Sequence, residues 1–188
     1  SETADDSCLA KGTAGISLRP LAHLSIRDQT LATAILMCLA EAVETTQGNT
    51  TADPSAIRAK GVCSYGNRLQ CTWEEIPENG ERARFSWGNS KTYRLYFQDY
   101  RAFLARPRRV CAEIATSLSA KRNLFVVSLD IKSFFDCIDR NALIAELQTI
   151  EQNYRQKFGL AQEMAADGLF WERVKLILNW QWAEEDQD

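Results

Sequence analysis

LFVVSLDIKSFFDCIDRNAL, residues 124–143, is the stretch on which the reading of this chain turns. Residues 124–130 are apolar and valine-rich, and KRN just before them makes a sharp polar boundary. Such a run describes a buried strand, here one that ends in a carboxylate, Asp130. Asp136 and Asp139 follow, and Asp139 is a fair N-cap for a helix over residues 140–158. Ala142, Leu143, Leu147, Ile150 and Tyr154 would give that helix one apolar face. A last helix is predicted over residues 163–180, before the acidic end QWAEEDQD.

Working back from this stretch, the period changes. Tyr93, Phe97, Tyr100 and Leu104 recur at helical spacing, with Tyr96 and Phe103 beside them. Pro107 is expected to end or bend that helix, with a second helix over residues 108–118. The spacing of the aromatic stripe favours a core face over a base-stacking platform. Further upstream, CTW and RFSW read as short strands around an ENG turn. TTQGNTTADPS reads as a loop. Before it, QTLATAILMCLAEAVE (residues 29–44) is apolar around most of a helical surface, which predicts a largely buried helix, with Asp28 as a cap. Residues 16–24 contain Pro20 and suit an extended or edge strand. There is no internal repeat.

The bulk numbers set bounds. A chain of 188 residues can bury a real core as one domain. Its 45% hydrophobic and 25% charged residues are those of an ordinary globular protein. No window approaches about 18 uninterrupted apolar residues, so no membrane helix is expected. The acidic start SETADDSCLA is unlike a signal peptide. Cys8, Cys38, Cys63, Cys71, Cys111 and Cys137 are scattered without a CxxC pair, and His23 is the one histidine. Reduced thiols in a cytoplasmic protein are expected, and a structural zinc is not. The net charge of −3 hides a pattern. Residues 91–122 carry eight Lys/Arg against Asp99 and Glu113, whereas residues 160–188 carry seven acids against Arg173 and Lys175. The basic middle fits a phosphate-facing surface or a solvated helix face, and charge alone does not separate them.

Chemistry concentrates at Asp130. A carboxylate at the mouth of a hydrophobic strand is costly unless something pairs with it. Magnesium suits the role, because it is hard, prefers oxygen and is held by few carboxylates plus substrate phosphates. Phe134 and Phe135 supply apolar bulk where a nucleotide sugar would lie. Spacing alone favours a plainer arrangement, in which Asp130 merely ends a strand and Asp136 and Asp139 cap a helix.

The same residues carry a resemblance. SLDIKSFFDCIDRNAL resembles the motif bearing the first catalytic aspartate of bacterial reverse transcriptases of the group II intron and retron type. KGTAGISLRPLAHLSIRDQTLATAIL resembles their fingers segment, and CSYGNRL their Ser-Tyr-Gly-Phe-Arg segment, with Asn67 in place of the aromatic. The three occur in the family's order over residues 11–147. The resemblance implies that Asp130 binds the catalytic metals, magnesium or manganese, with the Ile131 carbonyl as a second contact. It implies that Phe135 is the gate that rejects a ribose 2′-hydroxyl, and that Arg19, Lys11 and Arg27 reach the dNTP triphosphate. Arg106, Arg108 and Arg109 are expected to hold nucleic acid. YGNRL and TYRLYFQDYRAF are similar to the divergent branch that acts in phage defence and abortive infection.

The fold so implied is α+β: helix-rich fingers over residues 1–122 joined to the beginning of a polymerase palm sheet over residues 123–188. The implied partners are an RNA or DNA template and primer, dNTPs and a structured non-coding RNA, without a membrane; an oligomer fits as well. Neither the Tyr-x-Asp-Asp hairpin nor the Pro-Gln-Gly segment of the family occurs in these 188 residues. The stretch is therefore expected to be an incomplete piece, unable to polymerise alone, that lacks the C-terminal palm and thumb. The rival reading is a non-catalytic nucleic-acid-binding or assembly module that keeps the fold.

Overall fold

The computed structural model describes residues 24–51, 61–118, 123–131, 134, 137–160 and 168–179. The expected edge strand over residues 16–24 lies outside them except for Leu24, which is exposed and not in a strand. Among these residues six elements follow one another: α1 (Ile26–Gln47), β1 (Cys71–Ile76), β2 (Gly80–Phe85), α2 (Tyr96–Ser117), α3 (Arg140–Phe158) and α4 (Gly168–Leu178). Helices with a small antiparallel sheet make the fold α+β.

The start of α1 is set by Ser25 rather than Asp28. The Ser25 hydroxyl accepts from the Asp28 N–H at 3.1 Å and donates to the Asp28 carboxylate at 2.7 Å. This reciprocal pairing relieves an orphan donor of the first turn and places Asp28 where the helix dipole favours it. At the other end, the Gly48 N–H closes on the Glu44 carbonyl at 3.1 Å. Gly48 has φ +81°, and a Cβ there would stand 3.1 Å from the Val62 Cα. A side chain would be strained and crowded at that position.

Helix α1 is central to the fold, but it is not largely buried. Its first turns are exposed, and burial begins in the second half with Leu39, Ala40, Ala42 and Glu44. Two cores form on different sides of this half. Ala40 meets Leu69, Cys71, Ala83 and Phe85 of the hairpin region, with Leu36, Met37 and Trp73 beside them. Leu39 meets Ile144, Trp171 and Val174 of α3 and α4, with Ile35, Val43 and Leu147 around them. The all-round apolar composition of α1 thus serves two packing partners, and its N-terminal half extends beyond both.

The hairpin forms where CTW and RFSW predict it. Cys71 pairs with Phe85 and Ile76 with Gly80, and Glu78 and Gly80 take positive φ to turn the chain. Side chains of α1 cover the outer edge of β2. Thr45 Oγ1 accepts from the Ala83 N–H at 3.0 Å, and Glu41 Oε1 from the Phe85 N–H at 3.1 Å. Those donors would otherwise face an open sheet edge.

Helix α3 has the predicted bounds and cap. Asp139 accepts from the N–H groups of Asn141 and Ala142 at 2.8 and 3.0 Å, and Gly159 ends the helix in the left-handed region. Its buried face departs from the expectation by one position. Ile144 and Tyr154 are buried, Leu143, Leu147 and Ile150 are half-buried, and Ala142 is exposed. The described part of the last helix is Gly168–Leu178.

Two larger expectations fail. Residues 124–130 do not form a buried strand: Phe125 is 81% and Leu129 88% exposed. A strand needs a neighbour for its backbone groups. Among the described residues the only sheet is the hairpin, whose strands pair with each other. The aromatic stripe is not core either. Tyr93 lies before α2, and its residue pairs with Leu69 in an isolated bridge. Tyr96, Phe97, Tyr100, Phe103 and Leu104 lie in α2 and are exposed, and Asp99 is the only buried residue of that helix. Nor does Pro107 divide α2, which runs through it. Pro107 and Phe103 are both exposed, so water can take the bond that the missing N–H leaves.

Candidate active site

Asp130 stands near the end of residues 123–131, which are exposed and in neither helix nor strand. The side chain is exposed, and its Oδ1 accepts from the Ile131 N–H at 3.0 Å. Ile131 is exposed as well. A turn follows, in which the Cys137 N–H donates to the Phe134 carbonyl at 3.3 Å, and Asp139 then caps α3. The three acids of this stretch are therefore not equivalent. Asp139 is committed to the helix start, Asp136 lies outside the described residues, and Asp130 Oδ2 meets no backbone donor among the described residues.

The oxygens of Asp130 and the Ile131 carbonyl fit magnesium in kind. They do not fit it in number. Among the described residues no group of three or more His, Cys, Asp or Glu is placed to hold a metal ion. Two ions about 4 Å apart need more than one carboxylate.

The other expected contacts are dispersed. Lys11, Arg19 and Phe135 lie outside the described residues. Arg27 is exposed in the first turn of α1. Among the described residues, no hydrogen bond or ion pair joins Asp130 to Arg27 or to the arginines of α2. Arg106 turns back onto the loop of the CSYGNRL segment. It donates to the Val62 carbonyl and, at 3.3 Å, to the Tyr65 hydroxyl, with its guanidinium 5.7 Å from the Tyr65 ring centre. Arg108 and Arg109 are exposed.

Two polar anchors escaped the sequence reading. Glu44 and Arg68 are 2% and 3% exposed. Arg68 Nε donates to Glu44 Oε2 at 2.8 Å, while Glu44 Oε1 accepts from the Leu69 N–H at 2.9 Å. Arg68 also donates to the carbonyls of Ser64 and Gly48, at 2.7 and 2.5 Å. One arginine thus closes the C-terminus of α1 and fixes the CSYGNRL loop. Asn67 helps shape that loop, since its φ of +48° suits asparagine better than an aromatic residue. The second anchor is Asp99, 2% exposed, whose Oδ1 accepts from the Thr50 hydroxyl at 2.7 Å. Its Oδ2 lies 3.3 Å from Arg94 Nε, an ion pair too misaligned to be a hydrogen bond. A glutamate in the apolar run LAEAVE was the available signal for the first anchor. The second had none, because Asp99 reads as an ordinary first-turn acid.

No protein-family model, curated protein or solved structure matches this chain.

Proposed function

We propose that this chain is the fingers and the start of the palm of a bacterial reverse transcriptase, in the branch that acts in phage defence. Support comes from three motif segments in the family's order and, above all, from the exposed Asp130, ten residues before the start of α3. On this reading the full polymerase extends DNA by attack of a primer hydroxyl on the α-phosphate of a dNTP. Divalent metal, when bound, would activate that hydroxyl and stabilise the pyrophosphate leaving group. Asp130 would hold the metal from the palm side, Phe135 would limit the sugar to deoxyribose, and Lys11, Arg19 and Arg27 would bind the triphosphate. The further carboxylates that two metals need would be those of the family's Tyr-x-Asp-Asp hairpin, a motif absent from these 188 residues. A second reading, a nucleic-acid-binding module without chemistry, is favoured by the basic, aromatic face that α2 exposes.

Asp130→Asn in the polymerase that carries the Asp-Asp hairpin separates the two. The neutral amide cannot offset metal charge, so dNTP incorporation should fall by several orders of magnitude. Because Asp130 is exposed, stability should change by no more than about 0.5 kcal/mol. Asp139→Asn keeps a competent cap and should retain incorporation. Near-normal incorporation by Asp130→Asn would overturn the polymerase reading.

A further inference from the structure

We infer that the exposed face of α2 is a platform for single-stranded nucleic acid, on which bases stack against Tyr96, Tyr100 and Phe103. The inference deepens the polymerase reading and rests on it for the strand's role as template. The three rings form a row. Tyr96 and Tyr100 have centroids 5.5 Å apart and planes 17° from parallel, and Tyr100 and Phe103 are 6.4 Å apart at 26°. Tyr65 extends the row, 6.2 Å from Phe103. All three aromatic residues of α2 are exposed, at 62%, 43% and 52%.

The polar anchors of α2 explain why an apolar row can stay uncovered. Asp99 is tied to Thr50 and Arg94, and Arg106 to Val62 and Tyr65. These contacts hold the helix without drawing its rings into either core. Charge selects the occupant. Helix α2 carries Arg101, Arg106, Arg108 and Arg109 against Asp99 and Glu113, in a chain of net charge −3. Arg101 and Arg108 are seven residues apart and share one side of the helix, about a third of a turn from the ring row. The Arg101 guanidinium already lies 5.6 Å from the Phe97 ring centre. Glu113 is as far round the helix on the other side but ten residues, about 15 Å, beyond Phe103 along the axis, and Asp99 is buried, so no acid sits beside the ring row. Stacked rings beside phosphate-binding arginines are what a single strand requires. A second copy of the same basic face would be repelled.

Fluorescence anisotropy with labelled oligothymidylate and oligouridylate of about 16 nucleotides, without metal or dNTP, tests the platform. Tyr100→Ala and Phe103→Ala should each weaken binding about tenfold. Tyr100→Leu, which keeps apolar bulk without a π-face, should do the same. An abasic strand of equal length should bind the native chain and the ring variants alike. Arg101→Ala combined with Arg108→Ala should lower the salt slope by about 1.4. Lys175→Ala, exposed on α4, should leave it unchanged. Unchanged melting temperatures would show that these exposed substitutions do not unfold the protein. Equal affinity of native and ring-substituted protein for base-bearing strands would overturn the inference. So would a concentration-dependent dimer that the ring substitutions dissociate. Because the assay omits metal and dNTP, loss of polymerisation in Asp130→Asn with binding intact would leave the platform standing.

Discussion

Replacing Glu44 by alanine removes the one carboxylate that, among the described residues, pairs with Arg68, whose side chain is 2% exposed. The guanidinium charge would then stay buried among Ser64, Gly48 and the end of α1. Breaking one side of such a pair costs about 3–5 kcal/mol, because the remaining charge is neither hydrated nor matched. The Leu69 N–H loses its acceptor in the same substitution, adding about 1 kcal/mol. The total, about 4–6 kcal/mol, is comparable with the whole stability of a small domain. Glu44→Gln keeps an acceptor for Leu69 and should lose less. Glu44→Gln with Arg68→Met removes both charges and should recover most of the loss. It would retain a deficit of about 1–2 kcal/mol from the unpaired carbonyls of Gly48 and Ser64. Urea unfolding followed by circular dichroism measures each value, provided the slope stays constant. A loss below about 1 kcal/mol for Glu44→Ala would refute the claim that this pair joins α1 to the CSYGNRL loop.

Two further outcomes follow from local chemistry. Gly48→Ala should cost about 1–3 kcal/mol, from its positive φ and the crowding against Val62; a neutral result in the same unfolding assay would show that the backbone relaxes there. Stability should also fall at alkaline pH. Burial, followed by the nearby Glu44 and Glu41, pushes the Cys71 thiol from 9.0 up to about 12, and burial with the Glu41 contact raises Tyr154 above 10.0. The folded chain keeps protons that the unfolded chain releases, so this stability is complete below about pH 9 and declines above it. Thermal melts across that range check the sign: Cys71→Ala should flatten the first part of the decline, and a constant melting temperature up to about pH 11 would refute it.

Helix α3, its Asp139 cap and the hairpin around ENG were legible because each is set by contacts within a few residues. A cap needs only its own first turn, and a hairpin only its turn and alternation. The candidate site was legible as a motif, with Asp130 picked out by residue type and order. Its environment was not. An apolar run such as residues 124–130 is a buried strand only when another strand lies beside it, and no periodicity within the run reports that neighbour.

The same limit explains the aromatic row of α2. Its spacing marks a face correctly, but whether that face is covered depends on which elements pack against it. Here the helix is held by Asp99 and Arg106, and the rings stay outside. The Glu44–Arg68 pair, 24 residues apart, and the shift of burial from Ala142 to Ile144 have the same origin. The sequence by itself determined where α3, its Asp139 cap and the hairpin turn lie, because those depend on neighbouring backbone groups, whereas it misplaced the break at Pro107 and the cap of α1. Only the tertiary structure decided which faces lose water, because burial depends on surfaces brought together from distant parts of the chain.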